Sequence, residues 1–446
     1  MIEILRYRDF RHLFLAQMVA LIGTGLATVA LALLAYDLAG AQAGAVLGTA
    51  LAIKMTVYVT LAPLSAAVIP PTRRKAALVA LDLVRAVVAL VFPFVAEIWQ
   101  VYVLIAVLQS ASACFTPLFQ SLIPEILKEE RDYTRALSLS RFAYDLESLL
   151  SPALAAALLT VITFHGLFAG TSIGFVASAL LVVTTVFPVA VATHTEGRPY
   201  ARALHGLRTF ARTPRLRALV ALNLCAAAGG AMVFVNTVVV VRSALHGGDR
   251  EVAWALAAFG GGSMLVALSL PRLLDRIPDR RVMFMAAVAM VVALMATSAL
   301  WTLFDETLGW SMLVPAWVAI GMAYAGLVTP GGRLLRRSAH AGDLPQLFAA
   351  QFSLSHLCWL ITYPLAGWVG ATWGLESALF GLTAVAGVGV VTAWRAWPAH
   401  DPQEIEHAHP DLPPDHAHWV DHAPTRTGSH AHPFVIDELH ARWPGR

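Results

Sequence analysis

Again and again along this 446-residue chain, about twenty residues pass with hardly a charge. A run of about 18 apolar residues is long enough to cross a hydrocarbon core roughly 30 Å thick as a helix. Twelve such spans can be drawn, at about 12–36, 44–69, 76–96, 99–121, 136–160, 166–190, 217–242, 251–273, 281–303, 310–334, 345–370 and 375–397. Barrel strands need only about 9–11 residues, so the spans exclude a barrel. Composition agrees, with 58% hydrophobic and 13% charged residues, where soluble domains carry about a quarter charged. The expected fold is an all-α membrane protein of twelve transmembrane helices.

The first span, Leu13 to Leu34, exceeds the apolar core of a cleavable signal peptide and is expected to stay as a helix. No basic blocks interleave with aromatics, so nucleic acid is not an expected partner; the lipid bilayer is. Cys114, Cys225 and Cys358 lie far apart in apolar sequence, as buried free thiols do.

Basic residues alternate from loop to loop. Arg6, Arg8 and Arg11, then Arg73–Lys75, Lys128–Arg135, Arg198–Arg217, Arg272–Arg281 and Arg333–Arg337 fall on one side. The other side holds mainly Asp37, Glu97, Asp305, Glu306 and Glu376, with Arg250 the exception. The positive-inside rule then makes both termini cytoplasmic. The chain also repeats itself: Thr116-Pro117 recurs as Thr329-Pro330, and Ser151-Pro152 as Tyr363-Pro364. Two pseudo-symmetric six-helix halves, 1–190 and 217–397, are expected, with a linker at 191–216 and a polar tail at 398–446.

On these residues the chain resembles the major facilitator superfamily over about residues 1–397. The family's loop signature after the second helix, Gly-x-x-x-Asp-Arg-x-Gly-Arg-Arg, is echoed after the eighth. The second copy here reads Pro271-x-x-x-Asp275-Arg276-Ile277-Pro278-Asp279-Arg280-Arg281. The first keeps Arg74 and Lys75 but has Pro70-Pro71 where Asp-Arg would stand. The resemblance implies that these residues latch the cytoplasmic ends of the halves. Ser151-Pro152 with Ala155-Ala156 is similar to the antiporter signature of helix 5, with serine and alanine in place of glycine. The stretch from Pro117 to Pro152 looks most like bacterial drug, siderophore and metal exporters, some of which, for nickel, end in a His-rich tail.

Ionisable residues inside membrane spans are costly, roughly 2.5–3.5 kcal/mol each on insertion scales, and mark ion pathways or buried pairs. The N-terminal half carries six: Lys54, Asp82, Arg85, Arg141, Asp145 and Glu147. Arg141 with Asp145 at i,i+4 and Asp82 with Arg85 at i,i+3 are expected to pair on their own helices. Lys54 and Glu147 are then the deepest charges without a local partner, and Glu147 is the expected proton site. Its alternative is one fixed salt-bridge lattice. In the C-terminal half the candidates are His356 and Tyr363, and in the N-terminal half Gln17 and Gln109, as polar contacts to substrate or as interhelical hydrogen bonds.

The tail holds nine of the sixteen histidines. His407, His409, His416, His418, His422, His430 and His432 are candidate ligands for a transient divalent ion of the nickel, zinc, copper or cobalt class; otherwise the histidines are incidental in a disordered tail. Phe434–Ile436, Leu439 and Trp443 suggest a short docking helix. No resident cofactor is expected. No nucleotide-binding Gly-x-x-x-x-Gly-Lys-Ser/Thr loop is present, and no enzyme reading survives. The expected function is proton-coupled efflux of a small molecule by alternating access across the inner or plasma membrane. A divalent-metal exporter fed by the tail and a non-transporting metal sensor are the alternatives.

Overall fold

The structure, a computed structural model, describes residues 2–69, 73–127, 129, 132, 136, 139–140, 143, 147, 151–186, 199–304, 309–340, 343–401, 404–408, 429–436, 439–440 and 443–444. In the first half the helices are α1 (Arg8–Ala39), α2 (Ala43–Val68), α3 (Arg74–Val91), α4 (Ile98–Ile126), α5 (residues 151–158) and α6 (Phe164–Thr184). A connecting helix, α7 (Pro199–Arg212), leads into α8 (Pro214–Val239), α9 (Asp249–Leu274), α10 (Asp279–Phe304) and α11 (Gly309–Val328). Then come α12 (Gly331–Arg336), α13 (Leu344–Pro364), α14 (Gly370–Trp373) and α15 (Leu375–Ala396). Two tail strands, β1 (Glu404–Ala408) and β2 (Ser429–Pro433), pair antiparallel.

Among the described residues, nine helical stretches are long and apolar enough to cross a membrane, and one of them, Arg8–Leu61, spans both α1 and α2. The span drawn at 345–370 contains α13, and the described end of the span drawn at 136–160 is α5. The lipid-facing sides are apolar, with Phe94, Ile173, Leu180, Leu268 and Phe380 all exposed. Local chemistry sets the ends. Gly40 adopts φ +54° beyond α1, a left-handed conformation that suits glycine. Glu97 and Gln100 form a capping box on α4. Pro214 opens α8 at a position that needs no amide hydrogen.

The two halves repeat each other in three dimensions. In the first, α1 packs on α6, α2 on α4, and α3 on both α4 and α6; in the second, α8 packs on α15, α9 on α11, and α10 on both α11 and α15. Small residues permit these close crossings. A Cβ on Gly174 would sit 3.1 Å from the Val19 carbonyl oxygen, and one on Gly389 2.6 Å from that of Ala221. Thr171 on α6 also donates to the Gly23 carbonyl of α1 at 2.8 Å.

Two expectations are corrected. The span drawn to residue 334 ends at Val328, and Pro330 starts the separate short helix α12. Its sequence counterpart Pro117 stays inside the continuous α4. Phe434–Ile436 is extended rather than helical and follows directly on β2.

Both termini lie at one end. Asp9 accepts from the Val186 amide at 2.9 Å, and Asp401 of the tail reaches Arg215 at the base of α8. The far ends of α1 and α8 meet through Tyr36 and Ser243, 3.0 Å apart. Among the described residues, every hydrogen bond between the halves lies toward that far end. Gln42 donates to the Ala371 carbonyl at 3.3 Å, and Trp368 to Thr49 at 2.9 Å. Arg250 donates to the carbonyls of Leu159 and Thr160, at 3.0 and 2.9 Å. Here α2 lies directly on α13 and the π-helical turn Leu365–Val369 that follows Pro364. A Cβ on Gly48 would stand 2.7 Å from the Tyr363 carbonyl, and one on Gly367 would overlap that of Gly44. Asn236 of α8 donates to the Ala366 carbonyl at 3.1 Å, an oxygen that also accepts from the Gly370 amide.

Replacing Gly48 with leucine would wedge this seam. Spin labels at positions 42 and 371 are expected to report a longer and broader distance in Gly48→Leu than in the parent, by electron–electron double resonance.

Candidate substrate and proton site

The polar part of the site comes from α2, α4 and Glu147, which lies shortly before α5 in the chain. Lys54 lines a small cavity with Thr24, Thr28, Gln109 and Ser112, and Phe234 of α8 closes it from the other half. Glu147 is near enough to Lys54 for the two charges to interact electrostatically. Its carboxylate also lies against α1, where a Cβ on Gly25 would be 2.8 Å from Oε1 and would overlap the Ser151 side chain. Glycine at position 25 thus makes room for the acid. Gln17 and Gln109 are buried, and their amide oxygens have no hydrogen-bond partner among the described residues. Arg141 and Asp145 lie outside the described residues.

The opposing wall is aromatic. Phe234, Phe259, Tyr324, Trp359 and Tyr363 form a chain of rings with centroids 4.9–6.3 Å apart. A Cβ on Gly230 of α8 would meet the Trp359 ring, so this glycine cradles the indole. His356 stacks on Tyr58 of α2, centroids 5.3 Å apart and 4° from parallel, and its Nδ1 lies 2.6 Å from the Phe352 carbonyl. Lys54 stands 6.0 Å from the same Tyr58 ring. The histidine therefore joins the ionic side to the aromatic side.

Asp82 and Arg85 form a closed unit elsewhere. They bond to each other on α3, and Ser178 of α6 donates to Asp82 at 2.7 Å. The Arg85 guanidinium lies between the rings of Phe115 and Phe175, 4.1 and 4.5 Å from their centroids. With its partners fixed on two other helices, this pair tethers α3 to α6 and α4.

The loop-signature residues divide. Asp275, Arg276 and Arg281 are exposed, while Arg280 donates to the Trp397 carbonyl at 3.3 Å. The acid that pairs is Asp279, four residues on and buried at the start of α10. It meets Arg337 at 2.8 Å and Arg333 at 3.4 Å. In the first half Lys75 donates to the Thr185 carbonyl at 2.8 Å, capping the end of α6, and Arg74 is half-buried beside it.

A family model described as Major Facilitator Superfamily matches residues 13–245 and 219–428. The chain belongs to the Major Facilitator Superfamily. Solved structures of similar fold include a nucleoside transporter, NupG (D323A mutant), with TM-score 0.64 and 15% identity over 87% of this chain and 98% of that one. A D-xylose–proton symporter has TM-score 0.65 and 13% identity over 88% and 98%. A bacterial homologue of the human lysosomal transporter Spinster, inward-facing and unoccupied, has TM-score 0.62 and 12% identity over 88% and 96%. A comparison with curated proteins gives no match. As a superfamily member the chain is a multi-pass secondary transporter and not an enzyme.

In this superfamily member several residues matter that sequence reading passed over. Asp279 stood inside the quoted motif, but only the fold shows that Arg333 and Arg337 converge on it. Arg215, buried at the base of α8, donates to Ser338 at 2.7 Å and meets Asp401 at 3.4 Å. Nothing in the local sequence of α8 marks that contact. Of the tail candidates, His407, His430 and His432 come together, and His409, His416, His418 and His422 lie outside the described residues.

Asp279→Ala would leave two arginines without their shared acid, each partly exposed, at a cost of about 1–3 kcal/mol. Asp275→Ala, at an exposed site, is expected to change stability by less than about 0.5 kcal/mol. Thermal unfolding in detergent, followed by size-exclusion chromatography, separates the two.

Proposed function

We propose that this transporter couples the efflux of a small organic molecule to inward proton movement, with Glu147 as the proton carrier and Lys54 as its partner. The observation that carries the reading is the placement of this one acid–base pair beside a cavity roofed by Phe234 of the other half. A carboxylate shut away from water is tolerated when it is paired or protonated. A proton arriving on Glu147 dissolves its pairing with Lys54 and frees the lysine to turn toward substrate. Loss of the proton restores the pair. The two pairing states are what alternating access requires of a coupling site.

In this reading the halves 1–190 and 217–397 rock about the seam between α2 and α13, joined by the linker at 191–216, with both termini in the cytoplasm of a cell whose inner or plasma membrane holds the protein. The aromatic wall, with the unmatched amide oxygen of Gln109 in the same cavity as Phe234, suits an apolar molecule with one or two hydrogen-bonding groups. A second reading makes a divalent metal the cargo, delivered by the tail. It is favoured by one observation, the convergence of His407, His430 and His432.

The test is a proteoliposome assay under an imposed pH gradient, screening hydrophobic toxicants alongside Ni²⁺, Co²⁺ and Zn²⁺. Glu147→Gln is expected to insert and fold but to drop gradient-driven flux to the protein-free background, with Glu147→Asp retaining part of it. Undiminished flux in Glu147→Gln removes the residue from the mechanism. Metal flux that disappears on deletion of 398–446 would support the second reading.

A further inference from the structure

The tail strands bring together an arrangement that transport does not require. β1 and β2 are in a register that sets His407 directly opposite His430, with His432 opposite Ile405. Positions 430 and 432, two apart on one strand, share a face. Ligand nitrogens of His407, His430 and His432 all lie within 4.8 Å of one another. His440, beyond the second strand, returns to place its Nε2 3.0 Å from Nε2 of His407. His430, His432 and His440 are buried, at 4%, 5% and 4% exposure.

From this geometry we propose that the tail carries a four-histidine site for one divalent transition-metal ion, made by His407, His430, His432 and His440, and that the ion fastens the tail to the base of α8. In a tetrahedral site with metal–nitrogen bonds of about 2.0–2.1 Å, neighbouring ligand nitrogens stand about 3.3–3.4 Å apart. The His407–His440 pair is already near that spacing, and His430 and His432 lie within 4.8 Å of His407 and of each other. His407 also has its other nitrogen held, with Nδ1 2.8 Å from the Ile405 carbonyl. A backbone carbonyl there takes the Nδ1 proton and leaves Nε2 as the lone-pair donor, the usual outer-shell support of a metal-bound imidazole. The one acid nearby on β1 with a described bond, Glu406, is turned to Ser429 at 2.7 Å. An all-imidazole set selects zinc, nickel, cobalt or copper over magnesium or calcium.

The link to α8 is a continuous run of edge-on ring contacts. Phe434 contacts His407, His440 and Trp443, with ring centroids 5.0, 4.7 and 5.2 Å apart. The Arg215 guanidinium lies 5.1 Å from the centre of the Trp443 ring. The same arginine meets Asp401, which also accepts from Trp397 Nε1 at 2.9 Å. An ion that closes the four histidines holds Phe434 and Trp443 in place, and through them keeps the tail against the helix that opens the second half. The proposal rests on the tail alone and stands whether or not Glu147 carries the coupling proton.

The experiment uses purified full-length protein, stripped of metal and titrated with Zn²⁺ and with Co²⁺ by calorimetry. The wild type is expected to bind one ion tightly, and Co²⁺ to give the intense visible absorption of a four-coordinate site. His440→Ala and His430→Ala are each expected to weaken that ion at least tenfold and to change the cobalt spectrum. A variant with His409, His416, His418 and His422 all replaced by alanine is expected to keep it. Hydrogen exchange is expected to slow on adding Zn²⁺ in residues 404–408, 429–436 and the first turn of α8. Tight binding that survives His440→Ala and His430→Ala, or that vanishes in the 409–422 variant, overturns the site. Binding without slower exchange at α8 overturns the fastening.

Discussion

Hydrocarbon offers backbone amides and carbonyls no hydrogen bonds, and the rest of this structure follows from that. Each span must be a helix that satisfies its own backbone, so helices are joined by fit and by the few polar groups the interior holds. Glycine makes the fit, at Gly174 of α6 against α1, Gly389 of α15 against α8 and the pair Gly44 and Gly48 on the seam. Where the helix is irregular, as after Pro364, another helix adds a bond: Asn236 donates to the Ala366 carbonyl, which the Gly370 amide also reaches. Polar chemistry thus appears only where a neighbour has been supplied for it.

That rule separates the buried charges into two kinds. Asp82 and Arg85 are enclosed by each other, by Ser178 and by two aromatic faces. Such a unit has one stable arrangement and serves as a rivet. Lys54 lines a cavity and Glu147 has Gly25 beside it, the room that the proposed switch between two arrangements would use. The halves are alike in backbone and unlike in chemistry, ionic on one side and aromatic on the other. His356 on Tyr58 is where the two chemistries touch.

The helices were legible in the sequence because hydrophobicity over twenty residues is a strong signal, and most span ends fell within a few residues of the observed ones. The repeat was legible too, as paired proline positions, but not its breakage at Pro330, where one half keeps a continuous helix and the other does not. Spacing rules found the bond between Asp82 and Arg85, three residues apart. They could not find Asp279 with Arg333 and Arg337, or Arg215 with Asp401, because those partners are 54 to 186 residues away and meet only when helices pack. The tail shows the same limit. Histidine spacing suggested neighbours in sequence, whereas strand pairing joins His407 to His430 and a return of the chain brings His440.

The far-end closure also sets an energy scale. Among the described residues five hydrogen bonds cross between the halves there, from Tyr36, Gln42, Trp368 and twice from Arg250. At a net value of about 1 kcal/mol each, their joint contribution is about 5 kcal/mol. Set alone against a state that lacks them, these bonds favour the closed far end by about several thousandfold. Such a lock is firm enough to prevent leakage and weak enough for ligand binding to undo. A cargo that binds the alternative state some ten-thousandfold more tightly would reverse the balance without any other source of work.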